Sequence, residues 1–341
     1  MKEIKERVPL LDEHGNIAYP GYAKKMLWEY NRKDIKASKF KIKEWDYYLI
    51  VNDKIGVALT MDDNAYMGLM SLSLLDFEKG REKTVSRMFA FPMGKLNFPN
   101  SSSYGKIEYH NKTCDFIFET LNDKRILKAS MKDFIKGEDV NVEFELTHEP
   151  EESMVIATPF EKEKHFYYNQ KINCMRAKGN VQFEGQTIEF SPDNTFATLD
   201  WGRGVWTYHN TWYWGSASGV VDGEDFGFNI GYGFGDTSAA TENMLFYKGK
   251  AHKLEHVTFN IPMKNGKEDY LSPWTFTSSD ARFEMDFVPI LDRAACTDVK
   301  LIKSDQHQVF GYFTGVAVLD DGTEIHIKDF LGFAEKVENK W

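Results

Sequence analysis

Apolar residues in this chain recur most often at every second position. Val140-Asn141-Val142-Glu143-Phe144-Glu145-Leu146 and Phe283-Glu284-Met285-Asp286-Phe287 alternate apolar with polar side chains, the period of a pleated strand buried on one face. Between such runs stand Glu184-Gly185, Asp222-Gly223, Asn265-Gly266 and Asp321-Gly322, pairs that favour tight hairpins because glycine takes a positive φ without steric penalty. The pattern predicts an antiparallel, hairpin-rich, all-β protein. One segment departs from it: within 21–34, Tyr22, Met26, Leu27 and Tyr30 share a face at helical spacing, predicting a short N-terminal helix packed on the first domain.

A two-residue hairpin centred on Asp222-Gly223 sets Trp214 opposite Gly231, Trp212 opposite Gly233, Ser216 opposite Asn229 and Ser218 opposite Gly227, all on one face. Tyr213, Ala217, Phe228, Ile230 and Tyr232 then form the other face, an apolar packing surface. Two readings of the tryptophan face stand side by side. Indoles opposite glycines can fill a sheet by covering bare backbone; the same indoles beside Ser216 and Asn229 make an aromatic wall with fixed hydrogen-bonding groups. A second hairpin, centred on Asp321-Gly322, sets Val316 against Ile327 and Val318 against Ile325, with Tyr312 and Leu331 continuing a core face.

A length of 341 residues suits two domains, and the polar, proline-containing passage 191–199 divides them into 1–195 and 196–341. Lys and Arg total 42 against 52 Asp and Glu, a net charge of -10, which repels a phosphate backbone or an anionic membrane surface. Nucleic acid is not an expected partner. Cys114, Cys174 and Cys296 lie far apart and offer neither metal-ligand spacing nor a disulfide framework; no metal and no cofactor are expected. The opening Met1-Lys2-Glu3-Ile4-Lys5-Glu6-Arg7 has no signal-peptide core, and no apolar run is long enough to span a bilayer. A cytoplasmic setting is expected, with oligomeric state left open.

Candidate chemistry gathers in residues 200–216, which hold four of the eight tryptophans together with a carboxylate, a guanidinium and an imidazole. Such groups are brought together where a pocket or polar network satisfies them. Asp200 and Arg203 read as an ion pair locking a tight turn or as site groups. His209 reads as a satisfied interior histidine or as an acid or base titrating near neutrality. Glu242 and Asn243, after a glycine-rich passage, read as exposed loop or as a carboxylate and an amide at the mouth of the same sheet. The catalytic candidates are therefore Asp200, His209 and Glu242, and the ligand-binding candidates are Arg203, Trp206, Trp212, Trp214, Ser216, Asn229 and Asn243. No nucleophile elbow, phosphate loop or zinc motif is present. His307, Trp274 and Arg282 stand isolated, and His326 falls on a solvated face.

The chain resembles a bacterial family, domain of unknown function 2804, nearly end to end. The resemblance is carried by Leu10-Leu11-Asp12 with Gly15, Trp45-Asp46-Tyr47-Tyr48, Phe166-Tyr167-Tyr168-Asn169-Gln170-Lys171, Asp200-Trp201-Gly202-Arg203-Gly204, Trp212-Tyr213-Trp214-Gly215, Thr241-Glu242-Asn243 and Trp341. Thr207 stands where the family often has proline. More distantly, the order of a Tyr-rich strand, a Gly-containing hairpin and a Trp/Asp-rich segment is similar to the lipocalin-like group of carotenoid hydratases, tocopherol cyclases and AttH-type proteins. That similarity implies two calycin-like antiparallel β-barrel or β-sandwich domains with an apolar pocket at or near their junction. It further implies a small hydrophobic ligand, a lipid or terpenoid, that the protein protonates, hydrates or cyclises. Asp200 or Glu242 would be the acid, with His209 in reserve, while Trp212 and Trp214 would hold the ligand and steady a developing cation. The residues also fit a non-catalytic carrier or sensor, and a carbohydrate-binding or glycoside-active protein. An open groove would mark sugar, a closed apolar cavity lipid or terpenoid.

Overall fold

The computed structural model describes residues 1–299 and 302–340, and Trp341 lies outside them. Nearly all of it is strand. The first large sheet has 13 strands. Its main path runs from Arg81–Ala90 through Met67–Asp76, Ile55–Asp63, Ile42–Val51, Phe196–Val205, Phe166–Phe183, Glu138–Thr147, Arg125–Ile135 and Cys114–Thr120 to Gly105–His110. The sheet curls until its two ends meet through side chains: Phe89 stacks on Tyr109 at 4.4 Å, and Arg87 donates to the Lys132 carbonyl. Its concave side holds the larger core, including Tyr48, Ile50, Leu59, Phe116, Phe144, Tyr168 and Trp201.

The second sheet has nine strands, from Lys250–Lys253 through Met244–Tyr247, Glu224–Tyr232, His209–Val221, Glu324–Lys340, Ile302–Val318, Phe283–Val299 and Trp274–Ser278 to Val257–Asn260. It too curls on itself, bringing Phe259 within 5.8 Å of Tyr213 and 5.6 Å of Tyr232 by ring centroids. Phe228, Ile230, Phe276, Phe287 and Phe313 fill its inside. The molecule is thus two curled antiparallel half-barrels of calycin type. Phe196–Val205 is a central strand of the first sheet, and the next strand, His209–Val221, belongs to the second. Their outer faces pack together through Tyr47, Leu49, Phe77, Trp214, Phe310 and Phe333. Within every strand at this contact, alternate residues serve a barrel interior and the junction.

Among the described residues there is no α-helix, so the N-terminal helix is corrected. Gly21–Ala23 pairs with Val155–Ala157, Trp28–Glu29 pairs in parallel with Val8–Pro9, and the only helical turn within 21–34 is the 3-10 turn Arg32–Asp34. The helical spacing misleads because the segment's aromatics serve separate clusters: Trp28 and Tyr30 pack on Tyr168 in the first barrel, whereas Tyr22 joins the junction side. Tertiary packing overrides a weak local preference. Among the described residues no helix is long and apolar enough to cross a membrane.

The hairpin at Asp222-Gly223 has the expected register, with Trp214 opposite Gly231, Ser216 opposite Asn229 and Ser218 opposite Gly227. Both turn residues have positive φ, 52° and 82°, as a primed turn requires. The hairpin at Asp321-Gly322 is corrected by one residue: Val318 pairs with Glu324 and Val316 with His326. Here Gly322 alone has positive φ and the loop is longer than two residues. An irregularity between Phe313 and Gly315 restores the expected pairing of Tyr312 with Leu331.

Candidate functional site

Two cross-strand rows face each other at the junction. On the first sheet Lys171 pairs with Asp200 and Asp200 with Tyr47. On the second, Trp214 pairs with Gly231 and Glu335, Glu335 with Gln308, and Gln308 with Arg293. Cross-strand partners share a face, so each row presents its side chains to the other. Lys171 Nζ lies 2.8 Å from Asp200 Oδ1 and 3.8 Å from the Trp214 ring centroid. The Tyr47 hydroxyl is 3.4 Å from the Gln308 amide.

Asp200 contacts the Lys171 ammonium directly, and Lys171 also pulls from farther away on the carboxyls of Glu335 and Glu242. Asp200 also accepts from Asn169 Nδ2 at 2.6 Å. Glu335 accepts from Trp212 Nε1 at 3.0 Å and Gln308 Nε2 at 3.1 Å, while Arg293 donates to the other end of the Gln308 amide at 2.8 Å. Burial pushes the Glu335 carboxyl up to about 7, against the opposing pull of the Trp212 hydrogen bond and Lys171. Glu242 comes from the loop after Glu224–Tyr232, and its Oε1 is 3.0 Å from where a Cβ on Gly231 would stand. Burial raises this carboxyl too; Lys171 opposes the rise and Asp200 adds to it. Its Oε2 is buried with no hydrogen-bond partner among the described residues. On its other side burial pushes Lys253 down to about 7, although Nζ donates to Thr241 Oγ1 and to the Asn243 and Leu254 carbonyls, each at 2.7 Å.

Aromatic rings adjoin the carboxyls. Gly202 and Gly204 share a strand face with Asp200 and offer bare backbone. The Trp45 indole covers the first, occupying the space a Cβ would need, and Trp206 covers the second. Trp206 meets Trp45, Trp212 and Phe234 at centroid distances of 5.2, 5.9 and 4.8 Å. Tyr167 stacks on Trp45, and burial, then Glu242, Asp200 and Glu335, raises its hydroxyl well above the usual range. The expected covering of glycine by indole therefore occurs on the first sheet, while Gly231 lies beneath Glu242 instead of Trp214.

Asp200, Trp206, Trp212, Trp214, Glu242 and Asn229 are brought together. Asn229 orients two of them, accepting from Trp214 Nε1 at 2.7 Å and donating to the Glu242 carbonyl at 2.8 Å. Ser216 bonds Asn173, and Asn243 ties the Gly231 N–H to the Glu255 carbonyl, so both serve the frame. The tight-turn pairing of Asp200 with Arg203 is corrected. Both lie in one strand at odd spacing and point to opposite faces. Arg203 is fully buried in the first barrel, 3.0 Å from Asp46 Oδ1 and 4.0 Å from the Trp201 ring centre. His209 is exposed at the start of its strand, outside the buried carboxyl group. Lys171, Glu335, Gln308 and Asn169 belong to the site without having been singled out. Lys171 and Asn169 lie in the Tyr-rich run at a strand period that shares a face with Tyr167, the one signal that could have found them.

The molecule is a pair of lipocalin-like half-barrels with a buried charged layer between its two sheets. A family model described as a domain of unknown function (DUF2804) matches residues 1–341, and the chain belongs to that family. Among solved structures, the chain is similar to a protein of Nitrosomonas europaea described as an AttH, with 14% identity over 90% of this chain and 96% of that one and a TM-score of 0.54. This likeness is one of fold. Kievitone hydratase from Nectria haematococca matches at 10% identity over 88% of each chain with a TM-score of 0.46. CghA matches at 9% over 97% of this chain and 96% of that one, with a TM-score of 0.47. No curated protein matches in sequence.

Proposed function

We propose that this protein binds an uncharged, unsaturated hydrophobic molecule at the sheet junction and protonates it from Glu242. The observation that carries the reading is a buried carboxyl, raised by desolvation, with one oxygen unpartnered beside indole rings. Glu242 Oε2 gives its proton to one carbon of a double bond. The resulting cation lies near the faces of Trp212 and Trp214 and the negative charge of Asp200 and Glu335. It then loses a proton to a neighbouring carboxylate in isomerisation, captures a water that gives up a proton to that carboxylate in hydration, or is attacked by a second double bond in cyclisation, the new cation then losing a proton to the same carboxylate. His209, exposed, takes no part. The enclosure of the site, with Asp200, Glu242 and Glu335 each 8% exposed, favours a lipid or terpenoid over a sugar, which needs an open groove. The free cysteines, of which Cys296 is exposed, support a reducing, cytoplasmic setting, checked by fractionation of the producing cells.

Native mass spectrometry of the protein as purified, followed by organic extraction, tests the binding. The reading expects an uncharged unsaturated compound that E242Q retains and W212A loses. A compound equally retained by W212A, or a protein that takes up no lipid or terpenoid from a panel, contradicts it.

A further inference from the structure

We infer that the junction holds a closed slot, filled here by the Trp206 indole, for a flat uncharged ring molecule bearing a hydroxyl group. This rests on the junction being a ligand site and names the class of ligand it takes. The floor is the bare backbone of Gly204, where a Cβ would stand 3.2 Å from Trp206 Nε1, and the Trp45 indole lying over neighbouring Gly202 bounds it on that side. The walls are the rings of Trp45, Trp212 and Phe234. Trp212 and Trp214 are tethered by their indole N–H groups to Glu335 and Asn229. Trp206 has no such tether: its Nε1 is buried without a partner, an arrangement that raises its free energy. It is also carried by the connection between Val205 and His209 instead of a ladder strand, and is half-buried. Trp206 is therefore the ring placed to swing outward and yield its place to a planar ligand.

The hydroxyl follows from Asn169, which pairs with Gly202 across the ladder. Its Nδ2 donates to Asp200 Oδ1 at 2.6 Å and to the Trp201 carbonyl at 2.8 Å. These two acceptors fix the amide's orientation. Its Oδ1 is buried without a donor, and a ligand hydroxyl supplies one. The absence of negative charge on the ligand follows from Lys171, already held by Asp200, and from the carboxyls near it, which disfavour an anion.

The test uses 2-naphthol, naphthalene and 2-naphthoate, matched in ring size to the indole, with the full-length protein and W206A. Calorimetry is expected to show W206A binding 2-naphthol about tenfold more tightly than naphthalene and not binding 2-naphthoate. Equal binding of all three, or none, overturns the slot. In case W206A fails to fold, wild-type protein labelled with 5-fluorotryptophan provides the second readout, its Trp206 signal assigned through W206F. Saturation with 2-naphthol is expected to move that fluorine signal; an unmoved signal overturns the exchange. Neither readout involves proton transfer, so failure here leaves the role of Glu242 to its own test, and loss of that role leaves the slot standing.

Discussion

Lys171 lies between the Asp200 carboxylate and the Trp214 indole face, with Glu335 and Glu242 acting on it from farther away. Removing an ion pair from water costs several kcal/mol per ion unless geometry and hydrogen bonds offset it. For Lys171 and Asp200 the offset comes from 2.8 Å contact, the Asn169 donor and the Trp214 ring. Lys253 and Arg293 add positive charge beside Glu242 and Glu335, yet burial outweighs the cations for both carboxyls. Glu335 titrates near 7 and Glu242 is raised. The sign of the stability effect follows. A carboxyl raised on folding binds more protons in the native state between its unfolded value and about 7, so its contribution declines as pH climbs through that window. E335Q is expected to remove that decline, on the order of 1 to 3 kcal/mol, in urea unfolding curves recorded from pH 4.5 to 8. An unchanged pH slope would show that Glu335 ionises normally.

At the scale of the strand, Asp-Trp-Gly-Arg-Gly is a two-faced device. Trp201, Arg203 and Val205 point into the first barrel, while Asp200, Gly202 and Gly204 face the junction. The two glycines serve by lacking side chains, and a Cβ on Gly202 would come 1.9 Å from Trp45 Cζ2. G202A is expected to lower stability by about 1 to 3 kcal/mol and to shift tryptophan fluorescence. W45A is expected to relieve most of that loss in the double variant, with denaturation cycles as the check. Much at this scale was legible in the sequence. Alternation and the Asp222-Gly223 turn gave the Trp214 ribbon its register, since a two-residue turn leaves no freedom of pairing. Asp321-Gly322 misled by one residue because a longer loop follows different geometry. Residues 21–34 misled because short aromatic arms are shaped by what they pack against. The face carrying Arg203 was legible from parity alone, yet closeness in sequence suggested a pairing with Asp200 that a strand forbids.

For the molecule as a whole, curling two sheets leaves each with a filled interior and an outer face that still needs a partner. The junction provides it. Candidate residues on Phe196–Val205 and His209–Val221 could be read from the sequence because aromatic and charged groups crowd there. Glu335, Gln308 and Arg293 could not, because each sits in an ordinary-looking strand and joins the site through ladder register between distant segments. Glu242, on the function proposed above, gives a proton to a ligand held at this junction. This transfer is tested most directly by incubating the protein in heavy water with the compound it carries, and locating deuterium in the product by mass spectrometry and NMR. One carbon-bound deuterium per turnover is expected with wild-type protein and at least about a hundredfold slower incorporation with E242Q, in line with the typical contribution of a general acid of about 10²–10⁴. Incorporation at the wild-type rate by E242Q would contradict it.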